Sequence, residues 1–535
     1  TIHTMASIAR HIPFVPSKLR GDPQTEESTQ SEQPSYGQIL KSSALIGGSS
    51  VLTILVGIAR TKAMAVMLGP TGFGLMGLYS SIIDLALAVA SMGIGSSGVR
   101  QIAESVSTGD EIRIARTVIV LRRTAVLLGI LGAVLVVVFS APLSTLTFGS
   151  DRHAGAVALL GFAVFFRSVS AGQGALIQGM RRIADLAKMG VWGALLGAIL
   201  SIVLVYFLGE QGVAPSLVAA AAMGLVISWG YSRKVKIEYP VMTRAEMSQE
   251  AASLLKLGFA FMASGILMMG VAYAVRAIVL RLDGLDAAGF YSAAWTLGGL
   301  YVGIILQAMG ADFYPRLVGV AQDNEQCNRL VNEQTQVSLL LAGPGVIATL
   351  TFAPLIILFF YSAKFYETVE VLRWICLGIA LRVITWPIGF IIVAKNRQAI
   401  FLAAEAAWTV VNVGLTWLCV KAFGLNGAGI AFFGSYVFHG LMIYPIVRRL
   451  SGFRWSAINR KTGLLFVSSS MIVFCGFYVL PLFWAYGVGT LMVILSGVYS
   501  IRVLLNLVAP EQIPLPARRL LVQFRFVRGC SKDGI

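Results

Sequence analysis

Residues 56–74 have the sequence VGIARTKAMAVMLGPTGFG, and this stretch decides what kind of protein the chain forms. It lies at the end of an apolar run from Ile39 to Leu68, which is long enough to cross a bilayer because a spanning helix needs about 20 residues. Two cations, Arg60 and Lys62, interrupt that run. A charged side chain inside an apolar helix costs free energy unless an anion or water meets it. The stretch therefore predicts a membrane-spanning helix whose cations have a partner to meet.

The composition of the whole chain agrees with a membrane protein. Of its 535 residues, 57% are hydrophobic and 13% are charged, whereas soluble domains carry roughly 25% charged residues. The formal net charge of +17 is explained by cytoplasmic loops rich in Lys and Arg, so no nucleic-acid partner is expected. These numbers predict an all-α integral membrane protein that crosses the bilayer many times.

Apolar runs bounded by Gly, Pro or charge predict about 14 transmembrane helices. Their approximate spans are 38–68, 75–99, 120–141, 154–179, 190–208, 213–231, 253–281, 288–312, 333–360, 367–394, 398–420, 427–447, 462–481 and 484–507. The connections after even-numbered helices hold most of the Lys and Arg residues. The connections after odd-numbered helices hold only Arg152, Arg281, Lys364 and Lys421. Because basic loops stay in the cytoplasm, both termini are predicted to be cytoplasmic.

Enzyme, metal and nucleotide sites are not indicated by the sequence. The five cysteines are scattered, which argues against a zinc site. GIGSSG at 93–98 satisfies a dinucleotide pattern but follows no strand, and no GxxxxGK[ST] motif occurs. We therefore expect neither an enzyme nor a metal or cofactor.

Two halves of the chain match when it is shifted against itself by 215 residues. Gly69 then pairs with Gly284, Gly74 with Gly289, Arg167 with Arg382 and Gly209 with Gly424. The matches fall on helices 1–6 and 7–12, and six helices is an even number, so the two repeats have the same orientation. Such parallel repeats are related by an axis along the membrane normal, with a substrate site near mid-membrane at their interface.

Four arginines inside predicted helices form two repeat-related pairs. Arg167 corresponds to Arg382, and Arg60 corresponds to Arg276 with a local slip of one residue. Intramembrane cations are candidates for function because they are costly to bury. The four arginines and, with less weight, Lys62 are therefore predicted to bind substrate. Two acids lie at similar depth, Asp84 and Glu405; they are predicted to couple transport to ions or to pair with cations, and for Asp84 we favour pairing with Arg60.

The segments LKSSALIGGSSVLTILVGIARTKAMAVMLGPTGFGLMGLYSSIIDL and MGIGSSGVRQIAE resemble the Wzx-type O-antigen translocases. These are lipid-linked oligosaccharide flippases in the polysaccharide transporter family of the multidrug/oligosaccharidyl-lipid/polysaccharide (MOP) exporter superfamily. The resemblance implies two six-helix lobes, helices 1–6 and 7–12, that form a V around a cationic cavity, with helices 13 and 14 outside the repeat. It also implies that Arg60 and Lys62 face Arg276 and bind the diphosphate of the substrate.

The predicted function is translocation of a polyprenyl-diphosphate-linked oligosaccharide, an O-antigen or exopolysaccharide repeat unit, from the cytoplasmic to the periplasmic leaflet by alternating access. The alternatives are a multidrug/cation antiporter of the same superfamily and a membrane glycan polymerase or ligase. The expected location is the bacterial inner membrane. The expected partners are the lipid-linked substrate, membrane lipids and other glycan-assembly membrane proteins.

The predicted organisation assigns every part of the chain to a tail, a lobe or a linker. In order, it comprises a disordered cytoplasmic tail (1–36), an N-terminal lobe (37–232), a cytoplasmic linker (233–252), a C-terminal lobe (253–450), helices 13 and 14 (462–507) and a second cytoplasmic tail (508–535).

Overall fold

The computed structural model describes residues 36–235 and 242–507, and within these ranges it is helical without strands. Contacts separate the described residues before Leu45 from the main unit, which begins at Leu45. The helices are α1 Tyr36–Ala90, α2 Ile94–Thr108, α3 Glu111–Val138, α4 Ser140–Phe148, α5 Ala154–Gly179, α6 Ile183–Leu208, α7 Val213–Ser232, α8 Arg244–Gly319, α9 Asn324–Thr351, α10 Ala353–Phe360, α11 Thr368–Ala394, α12 Gln398–Phe423, α13 Leu425–Ser451, α14 Ala457–Val479 and α15 Leu482–Leu507. Short 3₁₀ turns occupy Asp151–His153, Gly209–Gly212 and Ala363–Phe365.

Ten helical stretches of the described chain are long and apolar enough to cross a membrane. An eleventh is added if α9 and α10, which meet at an angle of 84°, form one broken span. Three of the ten stretches are much longer than a bilayer requires: they run over Gly48–Ala90, Ile183–Ser232 and Met262–Leu306. Each of these three contains a glycine with positive φ, at Gly69, Gly209 and Gly284 respectively.

The glycine breaks follow the predicted repeat. Gly69 (φ 65°, ψ −170°) and Gly284 (φ 91°, ψ 177°) interrupt α1 and α8 with nearly the same backbone geometry. Gly209 and Gly424 also match, with φ of 57° and 59°. A Cβ disfavours positive φ, so glycine is the residue that adopts this conformation without strain. The first and second arms of α1 are hereafter the helical residues before and after Gly69, and those of α8 are the residues before and after Gly284.

The second arms of α1 and α8 cross so closely that backbones touch. A Cβ placed on Gly74 would collide with the carbonyl oxygen of Leu285, and a Cβ on Gly289 would collide with that of Pro70. The two contacts are reciprocal, because Gly74 corresponds to Gly289 and Pro70 to Leu285 at the 215-residue offset. Reciprocal contacts of this kind are the property of a two-fold axis. The predicted repeat is therefore visible as a local two-fold relation between the two crossing arms.

The predicted ninth helix, 333–360, is wrong as a single helix. The chain bends at Phe352, between α9 and α10. Pro354 follows the bend, and a proline lacks the N–H that would continue the helical hydrogen bonds and clashes with the preceding turn. The N-terminal half repeats this arrangement, since α3 ends at Val138 and the short α4 contains Pro142. Helices α4 and α10 are thus equivalent short helices.

Other predicted boundaries need correction or lie outside the described residues. The predicted helix 75–99 ends at Ala90, and the residues after it begin the separate helix α2. Part of the predicted linker 233–252 is helical, because α8 begins at Arg244, whereas 236–241 are not described. The predicted tails, 1–36 and 508–535, lie outside the described residues except for Tyr36.

The last two helices pack against the C-terminal half. Both α14 and α15 contact α9. At one end of α14, Asn459 Nδ2 donates a hydrogen bond of 2.7 Å to the carbonyl of Asn332 on α9. At its other end, Tyr478 Oη donates a hydrogen bond of 2.6 Å to Glu370 on α11. These contacts attach α14 to the C-terminal half at both ends.

Candidate functional site

Arg60 and Arg276 occupy equivalent places in the first arms of α1 and α8. Arg60 lies nine positions before Gly69, and Arg276 lies eight before Gly284, which is roughly 12–14 Å along a helix. Both side chains are half-buried. The Nε atom of each is buried without a hydrogen-bond partner. Both are therefore cations with unused donor capacity inside a membrane-spanning stretch.

The surroundings of Arg276 come from both halves. Its Nη1 donates a hydrogen bond of 2.9 Å to the carbonyl of Ala272 in the same helix. Gly77, in α1, lies beside it, because a Cβ there would be 3.8 Å from the Arg276 Nε, an ordinary van der Waals distance. Asp84 is close enough to attract it electrostatically. Arg276 is thus held where the two halves meet.

Asp84 pairs with Arg167 and not, as we expected, with Arg60. Arg167 Nη1 donates to Asp84 Oδ1 at 2.6 Å. The two side chains are 43% and 38% exposed, although Arg167 lies near the middle of α5 and Asp84 lies in the second arm of α1. The sequence did not identify this partner because Asp84 and Arg167 are brought together only by the packing of α1 against α5.

Arg382, the repeat partner of Arg167, lies near the middle of α11 and has different surroundings. It is close enough to interact electrostatically with Glu405 on α12 and with Tyr436 and His439 on α13. Among the described residues, however, no ion pair within 4.0 Å forms between Arg382 and Glu405. The Nδ1 atom of His439 is buried without a hydrogen-bond partner. This group is therefore polar but not internally satisfied.

Lys62 lies apart from these groups. Its Nζ donates hydrogen bonds to the carbonyls of Phe359 at 2.5 Å and Leu358 at 3.2 Å, both in the last turn of α10. The ammonium also lies 5.7 Å from the centre of the Phe359 ring. Because it is engaged with main-chain acceptors, Lys62 is less suited than the arginines to bind an anionic substrate.

The sequence did not single out Arg281, which makes a comparable contact. Its Nε donates to the carbonyl of Thr147 at 3.1 Å, and its Nη2 donates to those of Leu146, at 2.8 Å, and Thr145. The sequence does contain one signal for it. Arg281 is one of only four cations in the connections after odd-numbered helices, where Lys and Arg are otherwise rare. Its target on α4 was not detectable from the sequence.

The charge balance of the predicted site is positive. The four arginines, Arg60, Arg167, Arg276 and Arg382, outnumber the two acids, Asp84 and Glu405, and of these acids only Asp84 forms a direct ion pair in the part of the chain that the structure describes. In the same part, no three His, Cys, Asp or Glu side chains come together in a metal-binding arrangement. Guanidinium groups of this kind can bind an anion through charge-assisted hydrogen bonds.

Comparison with known proteins also indicates a protein of polysaccharide biosynthesis. The profile of a family described as polysaccharide biosynthesis protein matches residues 63–370, which is more than half of the chain. The lipid III flippase of Escherichia coli (strain K12) is 23% identical over 412 residues, covering 75% of this chain and 95% of that protein.

Solved structures show the same fold at low identity. An inward-facing multidrug resistance MATE family transporter of the MOP superfamily superposes with a TM-score of 0.61 at 16% identity, over 75% of this chain and 96% of that one. The lipid II flippase MurJ, in an inward closed conformation, has a TM-score of 0.61 at 15% identity, over 86% of this chain and 98% of that one.

These matches confirm the resemblance that the sequence indicated. The apolar helices and the relatives together identify a multi-pass membrane protein. The chain belongs to the polysaccharide biosynthesis protein family.

Proposed function

We propose that this protein is a flippase that moves a polyprenyl-diphosphate-linked oligosaccharide, an O-antigen or exopolysaccharide repeat unit, from the cytoplasmic to the periplasmic leaflet of the bacterial inner membrane. The observation that carries the proposal is the pair Arg60 and Arg276, two cations at repeat-equivalent places whose Nε atoms have no partner. The similarity to a lipid III flippase along nearly the whole length of that protein supports a lipid-linked substrate.

The proposed membrane arrangement has 14 crossings and both termini in the cytoplasm. Each of the three long stretches, broken at Gly69, Gly209 and Gly284, crosses twice, and the bent pair α9–α10 crosses once. Added to the seven remaining stretches, these make 14. The crossings form two six-helix lobes, 37–232 and 253–450, arranged as a V, with the linker 233–252 between them and helices 13 and 14 (462–507) beside the second lobe.

Exposure of the charged groups supports a water-filled cleft between the lobes. The Arg167–Asp84 pair is about two-fifths exposed although it lies in membrane-spanning stretches. A charge that faced hydrocarbon at this depth would cost about 2.5 kcal/mol or more. Water in a cleft removes that cost, and a cleft between repeats is where transporters of this kind bind substrate.

The charge of the proposed substrate matches the cations. A diphosphate diester carries a negative charge on each phosphate, and a guanidinium can bind two phosphate oxygens at once through parallel N–H groups. Arg60 and Arg276 each offer such a group, and Arg167 and Arg382 extend the positive surface. Lys62 is excluded from this proposed site because main-chain carbonyls occupy its ammonium.

In this mechanism the protein forms no covalent bond with the lipid. The diphosphate binds in the cleft while the polyprenyl chain stays in the surrounding lipid, and the two lobes then rock so that the cleft opens on the other side. Asp84 keeps Arg167 in place, and Glu405 either pairs with Arg382 or exchanges a proton or cation with solvent. Membrane lipids and other glycan-assembly membrane proteins are its expected partners.

A multidrug/cation antiporter is the second candidate, because the MATE transporters share the fold. Binding a cationic drug requires acids in the cleft, whereas arginines outnumber acids in the site described above. A glycan polymerase or ligase would instead change the covalent structure of the lipid. The charge of the site therefore favours an anionic substrate over a cationic drug, whereas a polymerase or ligase would be recognised by new covalent products.

The test replaces Arg60 and Arg276 by Gln and reconstitutes each variant in liposomes that contain the lipid-linked oligosaccharide in one leaflet. Arrival of the sugar in the other leaflet is measured by its accessibility to an added glycosidase. We expect each variant to translocate at least about tenfold more slowly, as loss of one charge-assisted contact of about 1.5–3 kcal/mol requires. Arg60→Lys, which keeps the charge but loses the two-pronged contact, should be intermediate.

The matched control is Arg502→Gln, which removes an exposed arginine on α15 outside both halves. It should translocate at the rate of the unmodified protein. Full translocation by both Arg60→Gln and Arg276→Gln would overturn the proposed site. Equal transport of a cationic dye by these variants and a loss of dye transport in Asp84→Asn would favour the antiporter.

A further inference from the structure

Two cations connect the halves of the protein at the end of the bundle that carries Gly69 and Gly284. The first is Lys62, in the first arm of α1, which binds the carbonyls of Leu358 and Phe359 on α10 of the other half. The second is Arg281, in the first arm of α8, which binds three carbonyls at the end of α4, as described above. Each half thus contributes one cation to a short helix of the other half.

The acceptors of the two cations are equivalent by the repeat. Helices α3 and α9 are both 28 residues long and begin 213 residues apart. At that offset Leu358 corresponds to Thr145 and Phe359 to Leu146, so Lys62 and Arg281 bind the same two carbonyls of the equivalent helices α4 and α10. The contact is therefore repeated across the local two-fold axis.

The donors, in contrast, are not equivalent positions. At the 215-residue offset Lys62 corresponds to Ala277, and Arg281 corresponds to Val66. The two cations thus lie about one helical turn apart within the repeat, yet both reach the same carbonyls. The similarity of the repeats therefore does not by itself explain why both halves make this contact. What the two contacts share is the acceptor, the last turn of the equivalent helices α4 and α10.

The Lys62 and Arg281 contacts are of a kind that can hold the two halves together and also break. The last carbonyls of a helix have no partner within the helix, and cations near a helix C-terminus also gain from the helix dipole. Gly149 makes room for the guanidinium, because a Cβ there would lie 3.1 Å from Arg281 Nη1. Both cations are exposed, so water can replace the carbonyls when the contacts break.

A third contact lies at the same end, on the two-fold axis itself. Thr71 Oγ1 donates a hydrogen bond of 2.5 Å to Asp286 Oδ1. These two residues are counterparts at the 215-residue offset. The Lys62 and Arg281 contacts, whose acceptors are equivalent, therefore lie on either side of a central contact between Thr71 and Asp286.

We propose that Lys62 and Arg281 are two reciprocal latches that hold this end of the protein closed, and that opening it for substrate release requires both to break. The proposal rests on the proposed function, because it assumes that the lobes rock. It gives Lys62 a conformational role in place of the substrate-binding role that the sequence suggested, and it gives Arg281 a role of the same kind.

The test measures the distance between the halves at this end without substrate. Nitroxide labels are placed at Glu210→Cys, in the turn before α7, and Phe423→Cys, at the end of α12, both of which are exposed. The five native cysteines are first replaced by Ser or Ala. Double electron–electron resonance in nanodiscs then gives the proportion of molecules with this end open. We expect Lys62→Gln/Arg281→Gln to raise the ratio of open to closed molecules about tenfold, with a smaller rise in each single variant.

The chain supplies a matched control for charge and location. Arg152 and Lys364 are exposed cations on the equivalent turns Asp151–His153 and Ala363–Phe365, and in the described part of the chain neither forms a hydrogen bond or ion pair with the other half. Arg152→Gln/Lys364→Gln should leave the distance distribution unchanged. Lys62→Arg/Arg281→Lys, which keeps both charges, should remain closed. If the double Gln variant aggregates, the single variants provide the measurement.

An unchanged distance distribution in Lys62→Gln/Arg281→Gln would overturn the proposal, as would an equal shift in the Arg152/Lys364 control. This outcome is separate from the outcome for Arg60 and Arg276, because no substrate is present. If the latch variants shift the distances while Arg60→Gln transports normally, the latches stand and the proposed substrate site fails. If the latch variants leave the distances unchanged while Arg60→Gln transports slowly, the latches fail and the proposed substrate site stands.

Discussion

Arg167 and Arg382 occupy equivalent positions in the two halves but have different electrostatic environments. Arg167 forms a 2.6 Å ion pair with Asp84. Arg382 interacts with Glu405, Tyr436 and His439 over longer distances, without a direct ion pair among the described residues. The repeat therefore specifies where the arginines lie and leaves their partners unspecified.

The acids explain this difference, because neither is repeated. At the 215-residue offset Asp84 corresponds to Gly299, and Glu405 corresponds to Gly190. Each half contributes one arginine of this pair and one acid, but the acids are contributed by different helices: the second arm of α1 in one half and α12 in the other. The backbone breaks at Gly69 and Gly284 are thus nearly equivalent, while the acids near Arg167 and Arg382 are not.

The largest effect should occur where the halves are truly equivalent. Gly74→Ala and Gly289→Ala should each prevent formation of a monodisperse protein, because the added methyl groups collide with the carbonyl oxygens of Leu285 and Pro70. Alanine favours a helix by about 1 kcal/mol over glycine, so helix propensity alone predicts the opposite. Fluorescence-detected size-exclusion chromatography measures the outcome. Gly270→Ala is the control, since a Cβ there meets nothing within 4 Å.

If only one of the two variants loses its monodisperse peak, the two glycines do not contribute equally to stability, although their contacts are reciprocal. If both variants lose it, the two halves are equivalent at this crossing, in contrast to the charged positions.

The second prediction contrasts the two acids. Asp84→Asn should lower the free energy of unfolding by about 1–2 kcal/mol, because it leaves Arg167 without its ion-pair partner in a stretch where a lone charge is costly. The side chains are partly exposed, so the effect should stay below that of a fully buried pair. Glu405→Gln, which breaks no direct ion pair, should cost less than about 1 kcal/mol. Thermal unfolding in nanodiscs measures both.

A double-mutant cycle sharpens this contrast. Asp84→Asn/Arg167→Gln should be more stable than the sum of the single variants predicts, whereas Glu405→Gln/Arg382→Gln should be additive within about 0.5 kcal/mol. A larger coupling for Glu405 and Arg382 than for Asp84 and Arg167 would contradict the difference between the halves.

The smallest effect concerns a repeated helix cap at the other end of the bundle. Asp110 and Asp323 begin α3 and α9 and accept hydrogen bonds from backbone N–H groups. The N–H of Gln326 in particular lowers the pKa of Asp323 from its usual 3.8. The carboxylate therefore stabilises the fold above the unfolded-state pKa, and this stabilisation is lost as the pH falls through the lower folded-state pKa.

Asp323→Ala should accordingly lower the thermal midpoint slightly at pH 7, and the difference from the unmodified protein should shrink as the pH is reduced below about 4. Circular dichroism at 222 nm in detergent follows the helices. A difference that is constant from pH 7 to pH 3.5 would show that the carboxylate charge does not contribute.

Much of the helical framework could be predicted from local sequence. The helix over 154–179 has the same bounds in the structure, and the glycines at 69 and 284 mark real breaks. Apolar runs, glycines and charges act over a few residues, so they are visible without knowing the fold. The sequence predicts one helix across Phe352 because residues 352–360 continue the apolar run, although Pro354 lacks the N–H that would continue the helical hydrogen bonds.

The contacts of the charged residues could not be predicted in the same way. The sequence favours Arg60 as the partner of Asp84 because the predicted helices that carry them are neighbours. The target of Lys62 lies almost 300 residues away in the chain, and the contacts of Arg281 are nearly as distant. Nothing within a helical segment encodes such a pairing.

By itself the sequence determined that the chain is a helical membrane protein with an internal repeat and with arginines at equivalent depths. It did so because a bilayer requires helices to satisfy their own backbone hydrogen bonds, which makes both the apolar runs and the exceptions to them local features. Only the tertiary structure decided that Asp84 neutralises Arg167, that Arg60 and Arg276 keep free donors, and that Lys62 and Arg281 bind the ends of α10 and α4. Those outcomes depend on how helices from distant parts of the chain cross, because electrostatic attraction and hydrogen bonding act through space over a few ångströms.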